Sequence, residues 1–143
     1  MWLVVGASGQ LGRCMTELLE STTIAHVAMG HHQLDITDSV AVEKVFQDLK
    51  PAIILNAAAW TAVDDAEEYE ADALSVNAHG PANLALSSSS IGARLIHIST
   101  DYVFNGQANT PYAVHSPTEP MNAYGRTKLA GEKAVLESGD RNN

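Results

Sequence analysis

The 143-residue sequence has little cysteine, few basic residues and no long apolar run. Its only cysteine, Cys14, excludes an intrachain disulfide and fits a reducing cytoplasm. Eight Lys and Arg face seventeen Asp and Glu, so at a formal charge of −9 we expect neither nucleic acid nor an anionic membrane as a partner. The amino terminus "MWLVVGASG" lacks the basic region of a secretory signal, and no segment is apolar enough to span a bilayer. We therefore expect one cytoplasmic domain over residues 1–143.

Apolar runs alternate with helical patterns along the chain. Short, mainly apolar runs predict strands at 2–5, 24–29, 52–56 and 94–99, of which 2–5 and 52–56 are predicted to be buried, and the pattern allows a very short strand at 33–35. Helical spacing predicts helices at 10–20, 40–49, 64–90 and 122–136, the third divided near Gly80-Pro81 or earlier. Residues 105–121, with three of the five prolines, form a long loop, and the four serines at 87–90 end or fray a helix. This alternation predicts an α/β fold, a Rossmann-type doubly wound parallel sheet.

A glycine-rich turn joins the first strand to the first helix. Its residues are Gly6-Ala7-Ser8-Gly9-Gln10-Leu11-Gly12, with three glycines at three-residue spacing. Such a turn lets the backbone approach a pyrophosphate, and the free N–H groups of the following helix bind phosphate oxygens. The strand before it and the helix after it match the context that a dinucleotide site requires. Gly6, Gly9 and Gly12 are therefore predicted to bind a dinucleotide; the alternative is a turn that serves packing alone.

The residues after the second strand bear on the choice of cofactor. A carboxylate at this point ordinarily binds the ribose 2′-OH of NAD. Gly30-His31-His32 stand there instead, which favours NADPH, but no arginine follows to bind a 2′-phosphate, so NADH stays open. Adjacent side chains on extended chain point to opposite faces, so the two histidines indicate a polar strand end rather than a metal site.

Three further segments have both a binding and a structural interpretation. Asp35 could accept from the adenine amino group while Ile36 packs on the ring, or the pair could serve only helix entry. Ala57, Ala58 and Ala59 follow the third long strand, where small side chains would let a flat cofactor lie, or would serve a tight turn. Asn77 is interpreted as an exposed polar residue or as a brace of the site. The acidic run at 64–72 is predicted to be a solvated helix face.

The fourth long strand and the last helix carry the candidate catalytic groups. Ser99, Thr100, Asp101 and Tyr102 lie at the strand's carboxyl end, where hydroxyls can face the ligand crevice, or form a hydroxyl-rich turn. Tyr124 and Lys128 are four residues apart, hence about 6 Å apart on one helix face. An ammonium beside a phenol favours its ionised form, so this pair can deliver a proton to a carbonyl oxygen as hydride reaches its carbon.

Seven segments together resemble a known family. They are GASGQLG, LDITD, NAAAWTAVDDAE, VNAHGPANLA, ARLIHISTDYVFNG, TPY and NAYGRTKLAGE, spread over residues 3 to 135. They are similar to the extended short-chain dehydrogenase/reductase superfamily and, within it, to the dTDP-4-dehydrorhamnose reductase family. The resemblance implies a Rossmann domain followed by a smaller substrate domain. It also implies reduction of the 4-keto group of dTDP-4-dehydro-L-rhamnose by NADPH or NADH, in the synthesis of cell-surface polysaccharide.

The resemblance also implies a role for each matching residue. The catalytic set is Thr100, Tyr124 and Lys128, and Asp101 and Tyr102 lie at the substrate edge. Cofactor contacts are implied for Gln10, Leu11, Asp35, Ile36, Ala57, Ala58, Thr61, Asn77, Tyr124 and Lys128. Members of the family are described with Mg²⁺, but no ligand cluster in this sequence can be assigned to it. The oligomeric state stays open, a homodimer included.

Three departures from the family pattern modify these expectations. Trp60 stands where tyrosine is more usual, and serines replace an alanine-rich segment at 87–90. The sequence also ends where the next strand is expected, so the substrate domain is expected to be absent and the isolated chain to have weak or no reductase activity. The alternative function is a non-catalytic NADP-binding regulatory subunit, similar to the relative that associates with methionine adenosyltransferase. The set Thr100, Tyr124 and Lys128 favours the enzyme.

Overall fold

A computed structural model describes residues 1–139 of the chain. Over these residues four strands form one sheet: β1 (Trp2–Val5), β2 (His26–Met29), β3 (Ile53–Asn56) and β4 (Arg94–His97). Their spatial order is β2-β1-β3-β4, and every neighbouring pair is parallel. The parallel α/β sheet predicted from the alternating pattern is therefore confirmed.

Helices connect the strands and follow them. They are α1 (Gln10–Ser21), α2 (Ser39–Leu49), α3 (Asp65–Glu68), α4 (Glu70–Leu74), α5 (Gly80–Ser90) and α6 (Ala123–Gly139). A π-helical turn (Ser75–His79) joins α4 to α5, and a 3-10 turn (Asp101–Val103) follows β4. Among the described residues no helix is both long and apolar enough to cross a bilayer.

Alternate residues of the central strands fill two cores. On one face Leu3, Val5 and Ile54 pack with side chains from α2 and α5, including Phe46 and Leu84. On the other face Val4 and Leu55 pack with Leu19 of α1 and with its partly buried neighbour Met15. Since a strand points successive side chains to opposite faces, continuous apolar strands require helices on both faces. This doubly wound arrangement agrees with the expectation.

The strand order fixes where a ligand can bind. From β1 the chain crosses to β2 on one side, and from β2 it returns past β1 to β3 on the other. The loops after β1 and β3 therefore diverge above adjacent strand ends and leave a crevice between them. The glycine turn follows β1 and the alanine segment 57–59 follows β3, so both predicted cofactor segments lie at this crevice.

The predicted short strand at 33–35 is wrong. The amide groups of Gln33 and Leu34 both donate to the carbonyl of Gly30, at 3.0 Å each, which closes a turn in place of an extended segment. The next helix begins as predicted, because the Asp38 carboxylate accepts from the amides of Val40 and Ala41 at 3.0 Å.

The long helical region is divided earlier than Gly80-Pro81. It breaks at Tyr69, between α3 and α4, and its hydrogen bonding then changes in the π-helical turn 75–79. Pro81 lies at the start of α5, where the missing N–H costs little. The serine segment ends α5 at Ser90, as expected.

Candidate functional site

Two neighbouring cavities form a trough along the carboxyl ends of the strands. The larger, about 430 Å³, is lined by the predicted residues Gly9, Gln10, Leu11, Thr61, Tyr124 and Lys128. The smaller, about 230 Å³, is lined by Gly6, Asp35 and Ile36 together with Ser8 and His31. Gly9, Ala57, Ala58 and Ala59 line both cavities, so the trough is continuous. The structure thus brings together most of the residues that the sequence predicts as a site.

The glycine turn combines close packing with a free helix terminus. Gly6 has φ 77°, and a Cβ there would lie 2.4 Å from the Ala58 nitrogen. A Cβ at Gly12 would lie 2.3 Å from the Gly6 carbonyl oxygen, so both glycines are required by packing. No side chain caps the amino terminus of α1 and its first turn holds no acid. Its N–H groups are therefore available to an anion in the trough.

Gly9 differs from the other two glycines and gives a direct test of the trough. Its φ is −76°, and an added Cβ would meet only the Gly6 carbonyl oxygen, at 3.4 Å, an ordinary contact. We expect Gly9→Ala to fold with an unchanged melting temperature but to bind a dinucleotide at least about tenfold more weakly, because the methyl group occupies the approach of the pyrophosphate. Thermal unfolding and fluorescence titration measure the two effects.

Gly12→Ala is the matched control for this prediction. The same added methyl group there meets backbone atoms at 2.3 and 2.6 Å, so we expect a large loss of stability. Unchanged dinucleotide affinity in a folded Gly9→Ala chain would contradict the placement of the pyrophosphate beside Gly9.

Tyr124 and Lys128 lie on the same face of α6 and line the larger cavity. Their exposed fractions are only 9% and 2%. The Lys128 Nζ donates to the carbonyl oxygen of Ile98 at 2.6 Å, which fixes the ammonium beside the end of β4. Burial lowers the pKa of Lys128, and the nearby Glu132 carboxylate offsets part of this effect. The spacing of the pair had predicted this shared face.

The acidic run at 64–72 does more than form a solvated face. Glu67 Oε1 accepts from the amide of Ala123, at 2.7 Å, and so caps the first turn of α6. Glu70 accepts from both the Nε and an Nη of Arg126, each at 2.9 Å. The prediction of a merely solvated face is therefore incomplete, because two of its acids hold the amino terminus of α6 beside Tyr124.

Asn77 is a buried brace rather than an exposed residue. From the π-helical turn, its Oδ1 accepts from the Trp60 amide at 2.9 Å, and its Nδ2 donates to the Trp60 carbonyl at 3.1 Å. Nδ2 also donates to Thr127 Oγ1 at 3.1 Å, and that hydroxyl donates to the Tyr124 carbonyl at 2.9 Å. Asn77 is 1% exposed and is not among the residues lining the two trough cavities. The contacts of Asn77 therefore agree with its interpretation as a brace of the site.

Ser99 lines the larger cavity, whereas Thr100, Asp101 and Tyr102 are not among its lining residues. Thr100 Oγ1 accepts from the Tyr102 amide at 3.2 Å and donates to Asp101 at 3.3 Å. Asp101 and Tyr102 line a separate depression of about 270 Å³. The rings of Tyr102 and Tyr124 meet edge-on, 5.6 Å between centroids, so this depression adjoins the Tyr124 end of the trough.

Asp35 is held by its own loop. Its Oδ1 accepts from the amide and the hydroxyl of Thr37, at 2.9 and 2.7 Å. These bonds hold the pKa of Asp35 below its ordinary value, so the carboxylate is charged at neutral pH. Asp35 and Ile36 both line the smaller cavity. The two interpretations of Asp35, cofactor contact and helix entry, therefore each describe part of its environment.

Asn56 and His97, which the sequence interpretation did not single out, support the floor of the trough. Asn56 Oδ1 accepts from the Ala58 amide at 3.0 Å, and its Nδ2 lies 3.0 Å from His97 Nδ1. Burial, together with the Lys128 ammonium, lowers the pKa of His97 to about 4, so the ring is neutral at pH 7 and Nδ1 can accept. The only sequence feature that could have indicated this support is an asparagine at the end of a buried strand.

The described residues contain no group of three or more His, Cys, Asp or Glu placed to hold a metal ion. They fit a dinucleotide better, because an uncapped helix terminus and three alanines line one trough. A parallel sheet with a glycine turn at its switch point is the architecture of dinucleotide-binding domains, and the chain has this architecture. A family model described as "RmlD substrate binding domain" matches residues 1–143. The chain belongs to the RmlD family of dTDP-4-dehydrorhamnose reductases.

Individual relatives agree with this assignment. The chain is 51% identical over 136 residues to a dTDP-4-dehydrorhamnose reductase from Streptomyces griseus, covering 95% of this chain and 45% of that protein. It is 48% identical over 136 residues to a dTDP-4-keto-6-deoxy-D-glucose reductase from Streptomyces niveus, covering 95% and 47%. The crystal structure of the Bacillus anthracis dTDP-4-dehydrorhamnose reductase in complex with NADP superposes with a TM-score of 0.92 at 40% identity, covering 95% and 49%. The chain thus spans about half the length of the relatives it matches.

Proposed function

We propose that this chain supplies the cofactor trough and the proton donor of an NADPH-dependent reductase that converts dTDP-4-dehydro-L-rhamnose to dTDP-L-rhamnose. The observation that carries the proposal is the placement of Tyr124 and Lys128 in the cavity that also contains Gly9 and Ala57. The family relationship and the NADP complex of the Bacillus anthracis relative support the substrate and the cofactor. The free cysteine Cys14 supports a cytoplasmic location.

The residues divide the work of ketone reduction. The bound nicotinamide would supply the hydride. The amino terminus of α1 binds the pyrophosphate through backbone N–H groups, and Ala57 and Ala59 leave room for a flat ligand. Tyr124 donates its phenolic proton to the keto oxygen, and the Lys128 ammonium, held by the Ile98 carbonyl, stabilises the phenolate that remains. Thr100 and Ser99 supply hydroxyls at the end of β4 for the same oxygen.

Two measurements test the proposal. The first is NADPH binding to the 143-residue chain, which we expect to be saturable and one to one. The second is NADPH-dependent reduction of dTDP-4-dehydro-L-rhamnose by a chimera that joins residues 1–139 to the carboxyl-terminal half of the Streptomyces griseus relative. The absence of NADPH binding would overturn the proposal. Tight binding without ketone reduction by a folded chimera would instead support the regulatory subunit.

A further inference from the structure

The adenosine end of the trough lacks the acid that would select NAD. β2 ends at Met29, and Gly30-His31-His32 follow. His31 lines the smaller cavity together with Ser8. The Ser8 hydroxyl lies against Gly30, since a Cβ built on that glycine would be 2.2 Å from Ser8 Oγ. A hydroxyl and an imidazole therefore occupy the place where a carboxylate would hold a ribose 2′-OH.

Arg13 of α1 is hydrogen-bonded to the same glycine turn that contains Ser8. Its Nε donates to the carbonyl oxygen of Ser8 at 3.0 Å. Each helix residue advances about 100°, so Arg13 lies some 200° around the helix from Leu11. Leu11 lines the larger cavity on the β3 side, and Arg13 consequently lies on the opposite flank, toward β2.

The guanidinium of Arg13 retains its capacity to bind an anion. Within residues 1–139 it makes no ion pair, and Nε is its only group with a hydrogen bond to protein. Both Nη groups are thus available in a fork that suits phosphate. Asp35, the acid whose charge interacts with His31, has its Oδ1 engaged by Thr37.

We propose that Arg13, with the Ser8 hydroxyl and His31, binds the 2′-phosphate of NADPH and makes the trough prefer NADPH over NADH. This inference rests on the proposed function, because it names the cofactor that the same trough selects. The sequence pattern of NADP sites predicts an arginine after β2, whereas Arg13 belongs to the first turn of α1, seventeen positions before Gly30.

The test is the ratio of dissociation constants in the 143-residue chain. NADPH, NADH and the fragment adenosine 2′,5′-bisphosphate are titrated against the wild type and Arg13→Met. We expect Arg13→Met to raise the dissociation constants of NADPH and of the bisphosphate by tenfold or more, because one charge-assisted phosphate contact is lost. The dissociation constant of NADH should change by less than about twofold. Arg13→Lys should restore part of the NADPH affinity, since it keeps the charge.

Arg94→Met is the matched control. It removes the same charge from an exposed residue at the start of β4, the opposite edge of the sheet, and should alter no affinity. An equal loss of NADPH and NADH binding in Arg13→Met would mean that Arg13 only supports the glycine turn, and would overturn the inference. Equal wild-type affinities for NADPH and NADH would overturn it as well. Failure of the wild type to bind either nucleotide would overturn the proposed function itself.

Discussion

Tyr124→Phe should lower the rate of ketone reduction by the chimera about 10²–10⁴-fold, the range expected for loss of a positioned general acid. The substitution removes one hydroxyl and leaves the ring, so its edge-on contact with Tyr102 and the packing around Ala66 and Ala73 persist. The NADPH dissociation constant should therefore change by less than about threefold. Steady-state kinetics with dTDP-4-dehydro-L-rhamnose, together with fluorescence titration of NADPH, measure both quantities.

The control is Tyr69→Phe, which makes the same change at an exposed residue between α3 and α4. It should leave the rate and the affinity at wild-type values. If Tyr124→Phe retained the wild-type rate, another group would have to protonate the keto oxygen. If both the rate and the NADPH affinity fell together, the phenol would be a cofactor contact rather than the proton donor.

Strand positions could be predicted from sequence, whereas their ends depend on pairing. The strands predicted at 24–29 and 94–99 each span six residues, yet β2 and β4 each contain four. β1 has only residues Trp2 to Val5, and it pairs with His26 to Met29 on one side and with β3 on the other. A strand extends only where a partner supplies hydrogen bonds, and that partner lies far away in sequence.

The same distinction separates the site residues that sequence revealed from those that it did not. The glycine turn and the Tyr124–Lys128 pair are local patterns, set by spacings of three and four residues. The cap from Glu67 to Ala123 joins residues 56 positions apart, and the bond from Asn77 to Thr127 joins residues 50 apart. No local pattern encodes such pairs, because each depends on how α6 packs against α3 and the π-helical turn.

Asn77→Ala should have the largest effect on stability among the polar substitutions, about 2–4 kcal/mol, because it leaves two partly buried backbone groups of Trp60 without partners. The side chain accepts from the Trp60 amide and donates to the Trp60 carbonyl, so it binds both backbone groups of one residue. It also reaches Thr127, which carries the chain of hydrogen bonds on to the Tyr124 carbonyl. Denaturant unfolding measures the loss.

The expected loss of stability is large because the Asn77 side-chain amide supplies both a donor and an acceptor to Trp60. Asn83→Ala is the control: Asn83 donates to the carbonyls of Ile36 and Thr37 from a partly buried position on α5, so its loss should cost about 1 kcal/mol. Asn77→Asp keeps the shape and the acceptor but loses the donors and buries a charge, so it should destabilise the chain at least as much as Asn77→Ala. Equal costs for Asn77→Ala and Asn83→Ala would contradict the bracing role. Because Trp60 directly follows Ala59 and Thr127 lies between Tyr124 and Lys128, a true brace also predicts weaker NADPH binding by any Asn77 variant that still folds.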